Sequence, residues 1–429
     1  FGSSRPKLSI CGADGGGGSQ VRSPSGSVTA TPVMHIHSFG LDLLLYVALL
    51  VLFIWRSLCP WRCCGRWLEM MNYCTLLYAL MHGLLIYEIV ELVQAARADF
   101  KLPADAELGT HGVIWLRVLI LCTPAAMIII LTICWFQTRK HVLRIRANAA
   151  AMQHDRAVSI IALPAVYGLM AMSALVQLYR LASAQHEGQY KKVLLARYET
   201  CFFVADLYEA WALYQFGKLT LEVLGWRFAE RQAASQAANL EQQGSSDVLL
   251  SFEALSSLTW LGTWMFVVVC VIQAGWSLWL WNFQDAANNW ESYESSMNQF
   301  SYAGLVASAA AVYNVHTVEH TFSSLISTYS PFLKFLSVKM LVFFSFWQRQ
   351  IFGVLTHINV LLITDMQVKL LSAGLLVFEC LVSALLHWWA WGAEEEWYAM
   401  GAKGEDEEGE AAPLLSSASV AGRALQHRQ

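Results

Sequence analysis

The chain has 429 residues, of which 56% are hydrophobic and only 14% are charged, and its formal net charge is −4. Ordinary globular proteins have about 45–50% apolar and about 25% charged residues, so this composition excludes a set of water-soluble domains of the same length. The sequence has no basic patch interleaved with aromatic residues. It therefore predicts no nucleic-acid partner.

The N-terminal residues 1–37 are rich in glycine, serine and proline and include the run GGGGS. Such a composition buries too little apolar surface to form a core, and it is typical of disordered linkers. We therefore predict a disordered N-terminal segment over 1–37.

Nine apolar stretches follow, and each is close to the roughly 20 residues that cross a ~30 Å hydrocarbon core. They lie at about 40–58, 70–95, 112–137, 157–181, 199–224, 254–282, 300–326, 332–355 and 366–392. The sequence thus predicts an all-α, polytopic membrane helix bundle with about nine spanning helices, surrounded by membrane lipids. Its parts are an N-terminal helical hairpin, 38–111, and a seven-helix core, 112–392. Seven spans with a shallow N-terminal hairpin are the alternative.

Lysine and arginine in the loops indicate how the chain is oriented. They follow the first, third and fifth apolar stretches, whereas the segment 283–299 has none. Cytoplasmic loops carry the excess of Lys and Arg, so we predict an outer N-terminus and a cytosolic C-terminus. The loop 183–198 disagrees, because it carries three basic residues on the predicted outer side.

Three cysteines, Cys59, Cys63 and Cys64, lie in the sequence CPWRCCGRW directly after the first apolar stretch. Juxtamembrane cysteines beside basic residues are typical S-palmitoylation acceptors. Free reduced thiols are the alternative, and the reducing cytosol argues against disulfides.

Ionisable side chains inside the apolar stretches are the candidates for a functional site. Each costs about 2.5–3.5 kcal/mol at the centre of a bilayer on insertion scales, so such groups pair with one another or line a water-filled cavity. The candidates for a substrate path are Asp206, Tyr208, Glu209, Glu319, His320, Lys339, Gln348, Glu379 and His387. A structural network that fixes helix register is the alternative.

The sequence His316-Thr-Val-Glu-His320 matches the H-x-x-E-H pattern of some zinc proteases. Two histidines four residues apart share a helix face and could hold a metal. No third ligand is indicated, so the sequence predicts no metal, no cofactor and no enzymatic activity. Packing is the favoured role of these histidines, and a proton-linked or substrate-binding polar role is the alternative.

After Trp391 the chain becomes polar and acidic, which predicts a solvated cytosolic tail over 393–429. Within it, Glu410 precedes the pair Leu414 and Leu415 by four residues. This spacing resembles an acidic dileucine signal read by clathrin adaptors. It predicts an endosomal or vacuolar location, with the plasma membrane as the alternative.

Four stretches resemble one family. They are STYSPFLKFLSVKMLVFFSFWQ (327–348), ADLYEAWALYQF (205–216), LLVFECLVSALLHWWAW (375–391) and ALPAVYGLMA (162–171). Together they are similar to the organic solute transporter alpha and transmembrane protein 184 family over roughly 112–392. One departure is Ala205, where that family usually has arginine.

The resemblance implies a seven-helix core that facilitates movement of amphipathic organic solutes, steroid-like or lipid-like. It also implies a small single-span partner subunit or a homo-oligomer. The alternative is a non-transporting membrane scaffold or receptor-like protein of the endosomal or vacuolar system.

Overall fold

The all-α prediction is confirmed for the part of the chain that the computed structural model describes. That part comprises residues 73–99, 113–146, 151–183, 189–237, 245–283, 290–326, 329–357, 364–395 and 397–398. Its helices are α1 (Tyr73–Asp99), α2 (Ile114–Arg146), α3 (Ala151–Ile161), α4 (Leu163–Ser183), α5 (Gln189–Ala237), α6 (Ser245–Phe283), α7 (Trp290–Thr321), α8 (Pro331–His357) and α9 (Asp365–Ala390).

Eight of the nine apolar stretches fall on these helices, and the first, 40–58, lies outside the described residues. The fourth stretch is divided into α3 and α4 by a break at Ala162. Pro164 has no backbone N–H, and its ring crowds the carbonyl four residues earlier, which explains the interruption.

Five of the described helical segments are long and apolar enough to cross a membrane. They are Leu76–Arg97, Ile114–Ile145, Met152–Leu181, Phe252–Trp279 and Asp365–Ala390. Helix α5 carries Asp206, Glu209 and Lys218 within its central part, and α7 carries Glu319 and His320, so both helices are more polar. The chain is thus a multi-pass membrane protein, while the count of nine spans stays a prediction.

Helices α3 and α4 form the centre of the bundle. In an 18-residue stretch of Met152–Leu181, 94% of the residues are buried, against 33% in such a stretch of Phe252–Trp279. A helix that is apolar on all sides suits a central position. At Gly168 of α4, a Cβ atom would lie 3.0 Å from Met127 Sδ and 3.3 Å from Cys380 Cβ. The missing side chain therefore lets α2 and α9 pack closely on α4.

The outer surface of the bundle is also apolar. Large hydrophobic side chains point outward from α2 and α6: Ile114, Trp115, Val118, Leu121, Ile128, Ile129, Leu258, Trp260, Leu261, Trp264, Met265 and Ile272. Lipid tails are as apolar as these side chains, so the exposed surface fits a bilayer.

Helices α2 and α9 finish, and α8 begins, at the same end of the bundle. Gln137 near the end of α2 donates a hydrogen bond to the carbonyl of His387 in α9, at 2.7 Å. Lys334 in the first turn of α8 contacts Glu395, which follows α9. We call this the C-terminal end of the bundle.

Candidate functional site

The centre of the candidate site is an ion pair between α5 and α8. Glu209 Oε1 lies 3.6 Å from Lys339 Nζ, and the two side chains are only 3% and 10% exposed. The Lys339 ammonium also lies 5.9 Å from the centroid of the Phe266 ring on α6. Two buried charges stabilise each other here, and the loss of one would leave the other uncompensated.

A second carboxylate extends this pair toward the centre of the bundle. Asp206 lies three residues before Glu209, hence on the same face of α5. It accepts a hydrogen bond of 3.1 Å from the hydroxyl of Tyr167 on α4. Cys270 of α6 is buried one turn after Phe266, hence on the face of α6 that meets Lys339. Four helices thus converge on one group, the interior cluster, which comprises Tyr167, Asp206, Glu209, Cys270 and Lys339.

Two further candidates connect helices outside this cluster. The Tyr208 hydroxyl donates a hydrogen bond of 2.9 Å to the carbonyl of Ser159 on α3. Gln348 Oε1 accepts one of 3.2 Å from Ser372 Oγ, which joins α8 to α9. These contacts hold neighbouring helices together.

The candidates on α7 lie apart from the interior cluster. His316 and His320 have ring centroids 6.3 Å apart, and the His316 ring packs on Phe335 of α8 at 5.9 Å. Glu319 is 7% exposed, and it forms no ion pair with any other described residue. The described residues contain no group of three His, Cys, Asp or Glu side chains that could hold a metal ion.

The candidates on α9 also lie outside the cluster. His387 is fully buried, and its Nδ1 atom donates a hydrogen bond of 2.8 Å to the carbonyl of Ser383 in its own helix. Glu379 is half-buried, and within the described ranges it forms no ion pair. The structure therefore groups Asp206, Glu209 and Lys339 and separates them from the α7 and α9 candidates.

An open groove between α5 and α6 lies toward the C-terminal end of the bundle. It is lined by Lys218, Leu221, Glu222, Phe252, Ser256, Ser257, Trp260 and Leu261. Behind it, Glu222 forms an ion pair with Arg156 of α3. The lining thus combines an apolar aromatic wall with charged and hydroxyl groups.

Sequence reasoning missed a polar group that terminates α9. Gln137 Nε2 donates to the carbonyls of His387 and Trp391 at 2.7 and 2.9 Å. His141 Nε2 donates to the same Trp391 carbonyl at 3.2 Å. His141 Nδ1 is then an acceptor, and it receives the Nδ1–H of His154 at 3.0 Å. The last carbonyls of a helix need such partners when buried, but the sequence does not indicate which helix supplies them.

A second missed group surrounds Lys334, which the family-like Ser-Pro-x-x-Lys-Phe sequence could have revealed. Its Nζ donates to the Tyr329 carbonyl at 2.9 Å and to Glu395 Oε2 at 2.6 Å. The ring centroids of Tyr329, Trp391 and Trp397 lie 4.9, 5.4 and 5.8 Å from that nitrogen. Lys334 is 1% exposed, so its charge is compensated by one carboxylate and three aromatic faces.

The first residues of the predicted acidic tail belong to the folded bundle. Trp397 and Tyr398 are 1% and 4% exposed, and the Tyr398 ring stacks on His154 at 3.9 Å. Burial raises the pKa of the hydroxyls of Tyr398 and Tyr329 far above the ordinary range. Both hydroxyls are therefore neutral packing groups, and Trp397 and Tyr398, which the composition places in the predicted tail, are buried against the bundle.

A family model described as organic solute transporter Ostalpha matches residues 118–396. The chain belongs to this family. The match confirms the resemblance that the four sequence stretches carry. A comparison with curated proteins and one with solved structures found no match.

The Ostalpha match contains the interior cluster and most of the group around Lys334. It begins within α2 and ends one residue after Glu395, so it includes the interior cluster and, around Lys334, Tyr329, Trp391 and Glu395 but not Trp397. Helix α1 precedes it. Ostalpha is a family of membrane solute transporters and is not known as an enzyme family.

Proposed function

We propose that this Ostalpha family member facilitates the movement of amphipathic organic solutes, steroid-like or lipid-like, across a membrane. The observation that carries the proposal is the buried ion pair Glu209–Lys339 with Asp206 beside it. Ionisable residues inside a membrane bundle are rare, because an uncompensated charge is unfavourable there, and they mark substrate paths in many transporters.

The geometry of the pair suits exchange with a solute. At 3.6 Å the contact between Glu209 Oε1 and Lys339 Nζ is electrostatic, but it is too long for a hydrogen bond. Within the described part of the chain, neither atom has a hydrogen-bond partner. A polar group of a solute could therefore satisfy both atoms without breaking an existing hydrogen bond.

The α5–α6 groove supports the amphipathic class of solute. Phe252, Trp260 and Leu261 provide apolar contacts, while Lys218 and Ser256 provide polar ones. Ligand sites typically combine a mostly apolar wall with a few placed polar groups. A rigid ring system with one polar end matches this lining.

Reconstituted vesicles test the proposal. Uptake is measured with a tritiated sterol sulfate and, in parallel, with a mixture of amphipathic metabolites analysed by mass spectrometry. Glu209→Gln should abolish protein-dependent uptake, because the carboxylate that balances Lys339 is lost. The matched control is Glu230→Gln on the same helix, where the side chain is 66% exposed and pairs with Arg227. That variant should transport like the wild type.

One observation favours a second candidate, a non-transporting scaffold or receptor-like protein. The interior pair is closed from solvent, with exposures of 3% and 10%, as expected for a structural contact. A wild-type protein that moves no probe faster than protein-free vesicles would favour this candidate. If the Glu209→Gln variant still transports, the interior cluster does not lie on the substrate path.

Location and partners extend the proposal. The family resemblance implies a single-span partner subunit or a second copy of the chain. The dileucine signal at Leu414 and Leu415 suggests clathrin adaptors and an endosomal or vacuolar membrane. Palmitoylation of Cys59, Cys63 and Cys64 would add a lipid anchor to the chain. The cysteine group and the dileucine signal with Glu410 lie outside the described residues.

A further inference from the structure

We propose that the residues directly after α9 form a releasable strap, which closes the C-terminal end of the bundle and is locked by the ion pair Lys334–Glu395. The strap comprises Trp391–Glu395 together with Trp397 and Tyr398. This inference rests on the proposed function, because a strap that closes a bundle regulates passage only if something passes.

The strap begins in an aromatic layer. Trp391 is fully buried, its ring meets Phe216 of α5 edge-on at 6.1 Å, and its indole N–H donates to Ser337 Oγ of α8 at 3.2 Å. Phe216 in turn packs against Phe335 of α8 at 6.3 Å. Trp391 therefore joins α5 to α8 at this end of the bundle.

This layer lies between the interior pair and the C-terminal end of the bundle. Phe216 follows Glu209 by seven residues on α5, and Phe335 precedes Lys339 by four on α8. At 1.5 Å per residue these separations are about 10 Å and about 6 Å along the helices. A solute that left the interior pair toward this end would meet Trp391 and its two phenylalanine neighbours.

One carboxylate holds the strap in place. Glu395 Oε2 accepts hydrogen bonds from Lys334 Nζ at 2.6 Å and Trp397 Nε1 at 2.8 Å. Its Oε1 accepts the backbone N–H of Gly392 at 2.8 Å. Glu395 thus organises the strap internally and fastens it to the bundle.

Lys334 needs this carboxylate more than a surface lysine would. It lies in the first turn of α8, where the helix dipole disfavours a positive charge, and it is 1% exposed. Ser330 just before α8 has a left-handed φ of 49°, a conformation that non-glycine residues rarely adopt. The strained residue Ser330 thus lies next to Tyr329, whose carbonyl accepts a hydrogen bond from the buried Lys334 ammonium.

The form of the strap suits release. The described strap residues contain no complete helix, and most of their hydrogen bonds involve a side chain. Glu394 on its outer face is 85% exposed and pairs with Arg144, itself 47% exposed. Such short elements open locally at lower free energy than a packed helix core. Opening would expose Lys334 and Glu395 to water, where both charges are solvated.

Hydrogen–deuterium exchange of the purified full-length protein tests the lock. The backbone N–H groups of Trp391, Gly392 and Tyr398 are bonded to acceptors in the closed strap. Glu395→Gln should speed exchange of peptide 391–398 by about tenfold or more, because a charge-assisted hydrogen bond is lost. Glu394→Gln removes only an exposed pair and is the matched control, with exchange close to the wild type. Equal exchange in both variants would overturn the lock.

The native thiol of Cys270 tests the closure without any knowledge of the solute. A membrane-impermeant maleimide is added, and the modified Cys270 peptide is quantified by mass spectrometry. Glu395→Gln should raise this labelling by a factor similar to the rise in exchange, and Glu394→Gln should not. Faster exchange with unchanged Cys270 labelling would overturn the claim that the strap closes the interior.

Two further measurements keep the result decisive. If Glu395→Gln does not give folded protein, Trp397→Phe removes the indole bond to Glu395 and part of the ring that faces Lys334 while it keeps the Lys334–Glu395 pair. It should change both readouts in the same direction by less. Vesicle uptake separates the two proposals. A wild type without uptake rejects the proposed transport, while exchange and labelling still decide whether the strap exists. If exchange and labelling show that Glu395→Gln opens the strap but uptake stays at the wild-type rate, the strap does not control passage.

Discussion

Glu209 of α5 and Lys339 of α8 bury opposite charges against each other, 3.6 Å apart. Such a pair can serve stability alone, since removal of one partner leaves a buried charge uncompensated. It can also serve function, since Asp206 and Tyr167 extend it into a larger polar group. Stability and uptake respond differently to single and double substitutions, which separates the two roles.

We expect either single apolar substitution to destabilise the bundle strongly. Lys339→Met and Glu209→Leu should each lower the free energy of unfolding by about 3–5 kcal/mol, because the remaining charge is desolvated without its partner. The double variant should recover to within about 1 kcal/mol of the wild type, since apolar residues of similar volume often replace a buried pair without loss. Denaturant titration in detergent micelles measures all three.

The same double variant should be inactive in vesicle uptake if the pair lies on the path. A stable double variant with normal uptake would assign the pair a purely structural role. A double variant as unstable as the singles would show that Asp206 or Cys270 also depends on these charges.

Gln137 should stabilise the end of α9. Gln137→Leu keeps the volume but leaves the carbonyls of His387 and Trp391 with fewer donors, so we expect a loss of about 1–3 kcal/mol in unfolding free energy. Thr132→Val on the same helix is the control, because this exposed hydroxyl bonds only within α2. It should change stability by less than about 0.5 kcal/mol. Equal effects of the two would mean that the cap contributes nothing.

The helices could be predicted from sequence because a bilayer imposes a length on each apolar run. The start of α9 shows that the sequence signal for a helix start lies within a few residues. Thr364 and Gln367 form a reciprocal capping box, which is readable as a Thr-x-x-Gln pattern. The division of the fourth stretch was not predicted, although Pro164 is visible in the sequence, because the apolar pattern continues through it.

The partners of the polar residues could not be predicted in the same way. Spacing along one helix tells which residues share a face, as for Asp206 and Glu209, but not which helix that face meets. For this reason the sequence does not predict Gln137, His141 and His154 as site residues. Each lies at the polar edge of an apolar stretch, where a solvated role is the default.

Lys334 illustrates a different limit. Its position at the start of α8 suggests an interfacial residue, and the average composition of 393–429 suggests a solvated tail. Averaging over the tail hides two aromatic residues: the Trp397 ring lies over the lysine, and the Tyr398 ring stacks on His154. A few aromatic side chains next to a buried charge therefore decide the burial of this short segment, and the average composition of the acidic stretch does not.

The dileucine signal gives a prediction outside the described residues. Replacement of both Leu414 and Leu415 by alanine should move the protein toward the cell surface, because adaptor pockets recognise the leucine side chains. Surface biotinylation measures the shift, and Glu410→Gln should give a weaker change in the same direction. An unchanged distribution would discard the sorting hypothesis without affecting the transport proposal.

The contact between α6 and α7 depends on a glycine. A Cβ atom at Gly262 would collide with the side-chain amide of Asn314, which donates a hydrogen bond of 2.9 Å to the carbonyl of Leu258. Gly262→Ala should therefore displace the Asn314 amide and break its hydrogen bond to Leu258, which lowers the unfolding free energy by about 0.5–1.5 kcal/mol. Gly275→Ala on the same helix meets open space and should instead raise it by about 0.5–1 kcal/mol, since alanine favours the helix. If both substitutions stabilise the protein in thermal unfolding, the close approach at Gly262 is not a determinant of this contact.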